Sequence, residues 1–221
     1  MGIRTYRPGD ETALYEVCLR TGLDGQDASA VYPTRHLLAD IFVGPYLALQ
    51  PSLAWVLDDD SDDDSGDVSG DDGGDDGGRP AGGPGGYVLG ALDTRAFEAD
   101  CERLWWPPLR ARYRHVTEPE RWLAEHLAGP RPAPDEIVAG HPSHLHIDLL
   151  PRWQGAGWGS RLVARLLQAL DEHGSRGVHL GVSARNTRAV AFYTKLGFTE
   201  LKRADTVLFM GMTAAEWRTR L

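Results

Sequence analysis

Apolar positions along the chain recur with two different periods. In "ETALYEVCLRTG" (11–22) Leu14, Val17 and Cys18 return at helical spacing, and Asp10 stands where a first-turn cap belongs. "YPTRHLLADIF" (32–42) reads as a second, short helix. "TRAFEADCERLWWPPLRARY" (94–113) is helical as far as Pro107 and Pro108, where the missing N–H groups should end it. "EPERWLAEHLAG" (118–129), "GSRLVARLLQALDEHG" (159–174) and "NTRAVAFYTKLGF" (186–198) complete the helical set, the last stopped by Gly197 as a C-cap. Strand-like runs lie at "IRTY", "SLAWVLDD", "GYVLGALDT", "HLHIDLL", "GVHLGVS", "TELKR" and "TVLFMGM". In "HLHIDLL" (144–150), alternation puts His144, His146 and Asp148 on one face.

The front half is therefore strand, helices and a hairpin. The back half is strand, glycine turn, helix, strand, helix and a terminal strand pair. That order predicts an α/β (α+β) fold whose mixed sheet carries a parallel pair in its middle. No internal repeat interrupts it. The tract 58–86 holds eleven Asp against one Arg among many glycines. It cannot bury apolar surface and repels itself, so it reads as a disordered insert in an overgrown hairpin loop. The expectation is one domain over 1–221 with that tract on its surface.

The tract also changes the meaning of the formal charge of -9, because about ten negative charges belong to it and the rest of the chain is nearly neutral. No basic patch marks a nucleic-acid partner. No apolar run is long enough for a membrane span, and the charged start lacks a signal-peptide pattern, so the cytoplasm is expected. Cys18 and Cys101 have no metal or redox spacing and read as small buried hydrophobes.

The chemistry concentrates in "QGAGWGS" (154–160), a glycine turn between a strand and a helix N-terminus, which is a place for an anion. A dinucleotide fingerprint fits Gly155 and Gly157 but finds Ser160 at its third position and no carboxylate on the next strand. The P-loop pattern is absent. Gln/Arg-x-x-Gly-x-Gly/Ala fits, with Gln154, Gly157 and Gly159. A structural tight turn without ligand is the plain alternative. The face carrying His144, His146 and Asp148, with His141 nearby, also allows a metal-ligand set, although no fourth ligand is evident.

The turn and "NTRAVAFYTKLGF", in this order, resemble the GNAT superfamily of acyl-CoA-dependent N-acetyltransferases. The likeness is strongest over 144–212. "FVGPYLALQPSLAWVL", "GYVLGALDT", "HLHIDLLP", "GSRG" and "FYTKLGF" further resemble the acetyltransferase-like C-terminal region of O-GlcNAc hydrolases and its free-standing bacterial relatives. The resemblance implies a mostly antiparallel sheet whose parallel pair splays apart. It implies acetyl-CoA as cosubstrate and no metal. The pyrophosphate would lie on the backbone of Gln154, Gly155, Ala156, Gly157, Trp158, Gly159 and Ser160. The pantetheine arm would follow Leu149 and Leu150, with Asn186 opposite. Tyr193 would protonate the leaving thiolate, and Asp148 or His146 would take the amine proton. Tyr32, Asp40, Tyr46, Asp93 and Trp105 are the candidates for holding an amine acceptor. Direct attack in a ternary complex is the implied reaction, and a catalytically silent acyl-CoA-binding or protein-interaction module is the alternative. A homodimer is left open.

Overall fold

The computed structural model describes residues 2–58 and 83–220. Among these described residues, seven strands, β1 (Gly2–Thr5), β2 (Ala54–Asp58), β3 (Gly86–Ala91), β4 (Ser143–Leu149), β5 (Gly177–Ser183), β6 (Thr199–Ala204) and β7 (Val207–Thr213), form one sheet in the order β1-β2-β3-β4-β5-β7-β6. Every neighbouring pair is antiparallel except β4 and β5. The mixed, mostly antiparallel sheet with one parallel pair is therefore present as read from the sequence. The acidic tract lies outside the described residues, apart from its ends: Asp58 closes β2 and Gly86 opens β3.

Among the described residues, ten α-helices flank the sheet: α1 (Glu11–Thr21), α2 (Leu37–Phe42), α3 (Gly44–Leu49), α4 (Thr94–Asp100), α5 (Trp106–Arg112), α6 (Arg121–Ala128), α7 (Asp135–Gly140), α8 (Trp158–Glu172), α9 (Thr187–Leu196) and α10 (Ala214–Arg218). Among the described residues, none is long and apolar enough to cross a membrane. Period two in the strands sorts their side chains between two cores. Tyr87, Leu89 and Ala91 of β3 join Leu14, Val17 and Cys18 of α1 and the buried residues of α2 to α6 on one face. Val88 and Leu145 join Leu162, Val163, Leu166 and Leu170 of α8 on the other. Full burial of side chains of this size contributes about 1.5–3 kcal/mol each, which fixes α8 along β2, β3 and β4.

Two expectations need correction. Asp10 does not cap α1 through its side chain. Its carboxylate accepts from both terminal nitrogens of Arg4 at 2.8 Å and from the Arg7 N–H at 2.7 Å. Arg4 also donates to Asp58, so the pair fastens β1 to β2 and to the start of α1. The helical path also continues beyond Pro107 and Pro108. One wide turn over Cys101–Trp105 lets the Trp106 N–H reach the Cys101 carbonyl. The prolines then fall in the first turn of α5, where their absent N–H groups would have had no helical partner. The short helices α3, α7 and α10 have too few turns to show a period in sequence.

Candidate functional site

β4 and β5 pair only through Ser143 with Val178 and His144 with His179. Beyond them β4 keeps its register with β3 as far as Leu149, and β5 keeps its register with β7 as far as Ser183. The two strands thus part into a V. The Leu150 N–H bonds back to Gly85 at 2.9 Å, on the β3 side. Alternation then turns the backbone groups of Leu145, Ile147 and Leu149 toward the opening. Of the two residues expected to hold an extended ligand arm, Leu150 already has its N–H occupied. Leu149 offers its carbonyl to the opening, where Gln154 Nε2 donates to it at 2.7 Å.

The mouth of the V is the glycine turn. Gly155 (φ 81°) and Gly157 (φ 83°) are left-handed, and a Cβ added at either would meet nothing within 4 Å among the described residues beyond its chain neighbours. Their requirement is conformational. Gly159 differs: a Cβ there would stand 3.1 Å from the Phe192 ring, so its absence lets α8 lie close to α9. Gly157 is the N-cap of α8 and no side chain caps that end. The N–H groups of Trp158, Gly159 and Ser160, in a helix of 15 residues, face the opening beside exposed Ala156. Arg161 stacks over Trp158 with its guanidinium 4.7 Å from the ring centre. Asn186 caps α9, its Oδ1 accepting from the Ala189 N–H at 3.0 Å, so only its amide N–H groups remain for a ligand.

Tyr193 is buried on α9 between Phe192 and Phe198. Burial and then the charge of Asp148 raise its pKa, so the phenol keeps its proton. His146 and Asp148 do share a face, and Tyr87 of β3 stands directly across from Asp148. The Tyr87 hydroxyl donates to Asp148 Oδ2 at 2.6 Å and lies 3.1 Å from His146 Nε2. Cys18 of α1 completes the group: its Sγ, His146 and Asp148 each place a donor atom within 4.8 Å of the others. Among these donors the Tyr87 phenol oxygen hydrogen-bonds to His146 Nε2 and Asp148 Oδ2. Among the described residues, His144 and His141 do not join His146 and Asp148 at ligand spacing. His144 Nδ1 pairs with Thr94 Oγ1 at 2.8 Å, while the His141 carbonyl pairs with His179 Nδ1 at 2.7 Å. Burial, with the imidazoles of His179 and His146, pushes His144 down to about 3, so it stays neutral.

A family model for the Acetyltransferase (GNAT) family matches residues 129–198. Over 209 residues the chain is 25% identical to Protein O-GlcNAcase of Rattus norvegicus, a match covering 92% of this chain and 20% of that protein. The chain thus spans about a fifth of the length of these curated relatives. It is 28% identical over 120 residues to the GCN5-like protein acetyltransferase Rv2170 of Mycobacterium tuberculosis, covering 51% of this chain and 58% of the relative. The crystal structure of SsHAT matches with a TM-score of 0.78 and 37% identity, over 97% of this chain and 98% of that one. The chain belongs to the GNAT acetyltransferase family.

In this GNAT chain the residues picked for an acceptor divide. Asp40 is buried and built into the fold. Its carboxylate accepts from the Tyr15 hydroxyl at 3.0 Å and from the Tyr113 hydroxyl, and its carbonyl accepts from Trp105 Nε1 at 2.7 Å. Neither Asp40 nor Trp105 therefore presents its polar group to an incoming cation. Asp93 caps α4 by accepting from the Ala96 N–H at 2.9 Å, at the Ala91 end of β3, away from the mouth of the V. Tyr46 does adjoin the His/Asp face, stacked 6.5 Å from His146. Tyr32 is buried and is linked to that face through the rings of Trp122 and Phe42. Sequence reasoning missed Tyr87, Cys18 and Phe42 as neighbours of His146. Only the register between β3 and β4, which pairs Tyr87 with Asp148, could have shown the first of them.

Proposed function

We propose that this GNAT chain transfers an acetyl group from acetyl-CoA to a primary amine by direct attack in a ternary complex. The observation that carries this reading is the uncapped N-terminus of α8, entered through two left-handed glycines and opening onto the V between β4 and β5. Backbone N–H groups there suit a pyrophosphate, because they lack partners and sit at the positive end of the helix dipole. The backbone edge of β4, with Gln154 displaced from the Leu149 carbonyl, would receive the pantetheine arm as an added strand. The amide N–H groups of Asn186 would reach it from the other side.

His146 or Asp148 would take the proton of the ammonium, and a β4 N–H would stabilise the oxygen charge that develops as the amine adds. The C–S bond then breaks, and Tyr193, held protonated, supplies the proton to the departing thiolate. The products are an amide and free CoA. The reaction so written uses no metal. Calorimetry with acetyl-CoA tests the reading. Micromolar binding by the parent and its loss in Gly157→Glu are expected. No binding by the parent would overturn it, and binding without acetylation of any amine would leave a coenzyme-binding module.

A further inference from the structure

The hydrogen bonds around Tyr87 determine which nitrogen of His146 carries its proton. Tyr87 is fully buried, and its hydroxyl has one proton to give. A carboxylate can only accept, and Asp148 Oδ2 at 2.6 Å is the nearer partner. The Tyr87 oxygen must then act as acceptor toward His146 Nε2 at 3.1 Å. Asp148 Oδ2 also lies 3.3 Å from the same nitrogen. A bare Nε2 would face two oxygen lone pairs, whereas a protonated Nε2 satisfies both. The Cys18 thiol beside Tyr87 is kept protonated by burial and by the charge of Asp148, so it adds no second anion.

We infer that His146 is the Nε2–H tautomer, and that its bare Nδ1 is the atom that takes the acceptor's proton, with Asp148 and Tyr87 as positioning residues. This rests on the acetyl transfer proposed above and selects between the two residues offered there as base. Among the described residues no hydrogen-bond partner reaches Nδ1, and the His146 side chain is 29% exposed. The ring is held by others: Tyr46 lies at 6.5 Å and nearly parallel, Phe42 at 6.1 Å and Tyr87 at 5.6 Å between ring centres. The groups facing it that titrate are Cys18 from α1, Tyr46 from α3, Tyr87 from β3, and His144 and Asp148 from its own strand. In the step itself one proton passes from the ammonium to Nδ1, directly or through one water. The freed nitrogen pair forms the bond to the thioester carbon. The imidazolium left behind carries one positive charge opposite the Asp148 carboxylate, and it returns its proton to solvent after release.

Nitrogen-15 NMR of the imidazole-labelled protein at neutral pH reads this directly, with His146→Gln identifying the signals. The expected spectrum has a protonated Nε2 and a bare Nδ1 at His146. In Tyr87→Phe the same tautomer persists through Asp148 alone. In the Tyr87→Phe/Asp148→Asn double variant the single tautomer is lost to a mixture. A protonated Nδ1 in the parent protein overturns the inference, even where the double variant does not fold. So does a tautomer unaltered in a folded double variant. Because the signal needs no coenzyme, absent acetyl-CoA binding would defeat the acetyl-transfer reading and leave the tautomer result separately legible.

Discussion

Replacing Gly157 by alanine isolates the conformational requirement of the turn. Gly157 sits at φ 83°, and an added Cβ would meet nothing within 4 Å among the described residues beyond its chain neighbours, so none of them needs to move. The cost is the left-handed backbone alone, roughly 1–2 kcal/mol for a residue with a side chain. Reduced freedom of the unfolded chain offsets roughly 0.4–1 kcal/mol of that. A net loss of about 1 kcal/mol is expected, read in urea as a lower midpoint with unchanged slope, or as about 2–4 °C in Tm. Gly159→Ala is the contrast. Its backbone is helical, but its Cβ would stand 3.1 and 3.2 Å from two Phe192 ring atoms. Phe192→Leu should relieve that variant and leave Gly157→Ala unrelieved. The Gly157 Cβ would also project into the open side of the turn, so acetyl-CoA affinity measured by calorimetry should fall in the folded variant. A Gly157→Ala protein as stable as the parent, or one rescued by Phe192→Leu, would refute the separate roles given to these glycines.

Asp40→Ala should destabilise the fold by about 2–5 kcal/mol in chemical denaturation, because the Tyr15 and Tyr113 hydroxyls lose their acceptor inside the core. Adding Tyr15→Phe and Tyr113→Phe should recover part of the loss. Stability should also fall with acid before most carboxylates titrate. His144 is pushed down to about 3 in the fold, against about 6.5 when exposed, and burial also lowers His179 and His126. The unfolded chain therefore binds more protons below pH about 6.5, so stability present above that value declines as the pH drops toward about 3. Urea midpoints at pH 7 and 5 measure it. His144→Gln should flatten the slope, and a flat slope in the parent would show that these rings can be charged in place.

Most of the strand positions were legible because period two and the turn residues act locally. "GVHLGVS" marks β5 to the residue, and Gly197 (φ 100°) ends α9 as its position implied. Errors came where a tertiary partner outweighed a local preference. Asp10 found Arg4 from the neighbouring strand in place of the helix end behind it. The prolines at 107 and 108 were tolerated because a wide turn upstream put them at a helix start. The site was legible in its backbone half, since a glycine turn before a helix carries its geometry in its sequence. Its side-chain half was not. Asp40 looked like a free carboxylate, yet Tyr113 reaches it from 73 positions away, and no local pattern records that distance. Tyr87 became a neighbour of His146 only through cross-strand register.

The parting of β4 from β5 also divides the sheet mechanically. β1 to β4 form one antiparallel block and β5, β7 and β6 another, and between them only two residue pairs are in register. Amides inside either block should exchange with solvent mainly through larger openings, whereas those of Leu145 and Ile147, along the open seam, should exchange through small local ones. An extended guest lying in that seam would supply the missing rungs. Its arrival should then slow exchange across the centre of the molecule, far beyond the atoms it touches, and stiffen two blocks into one plate.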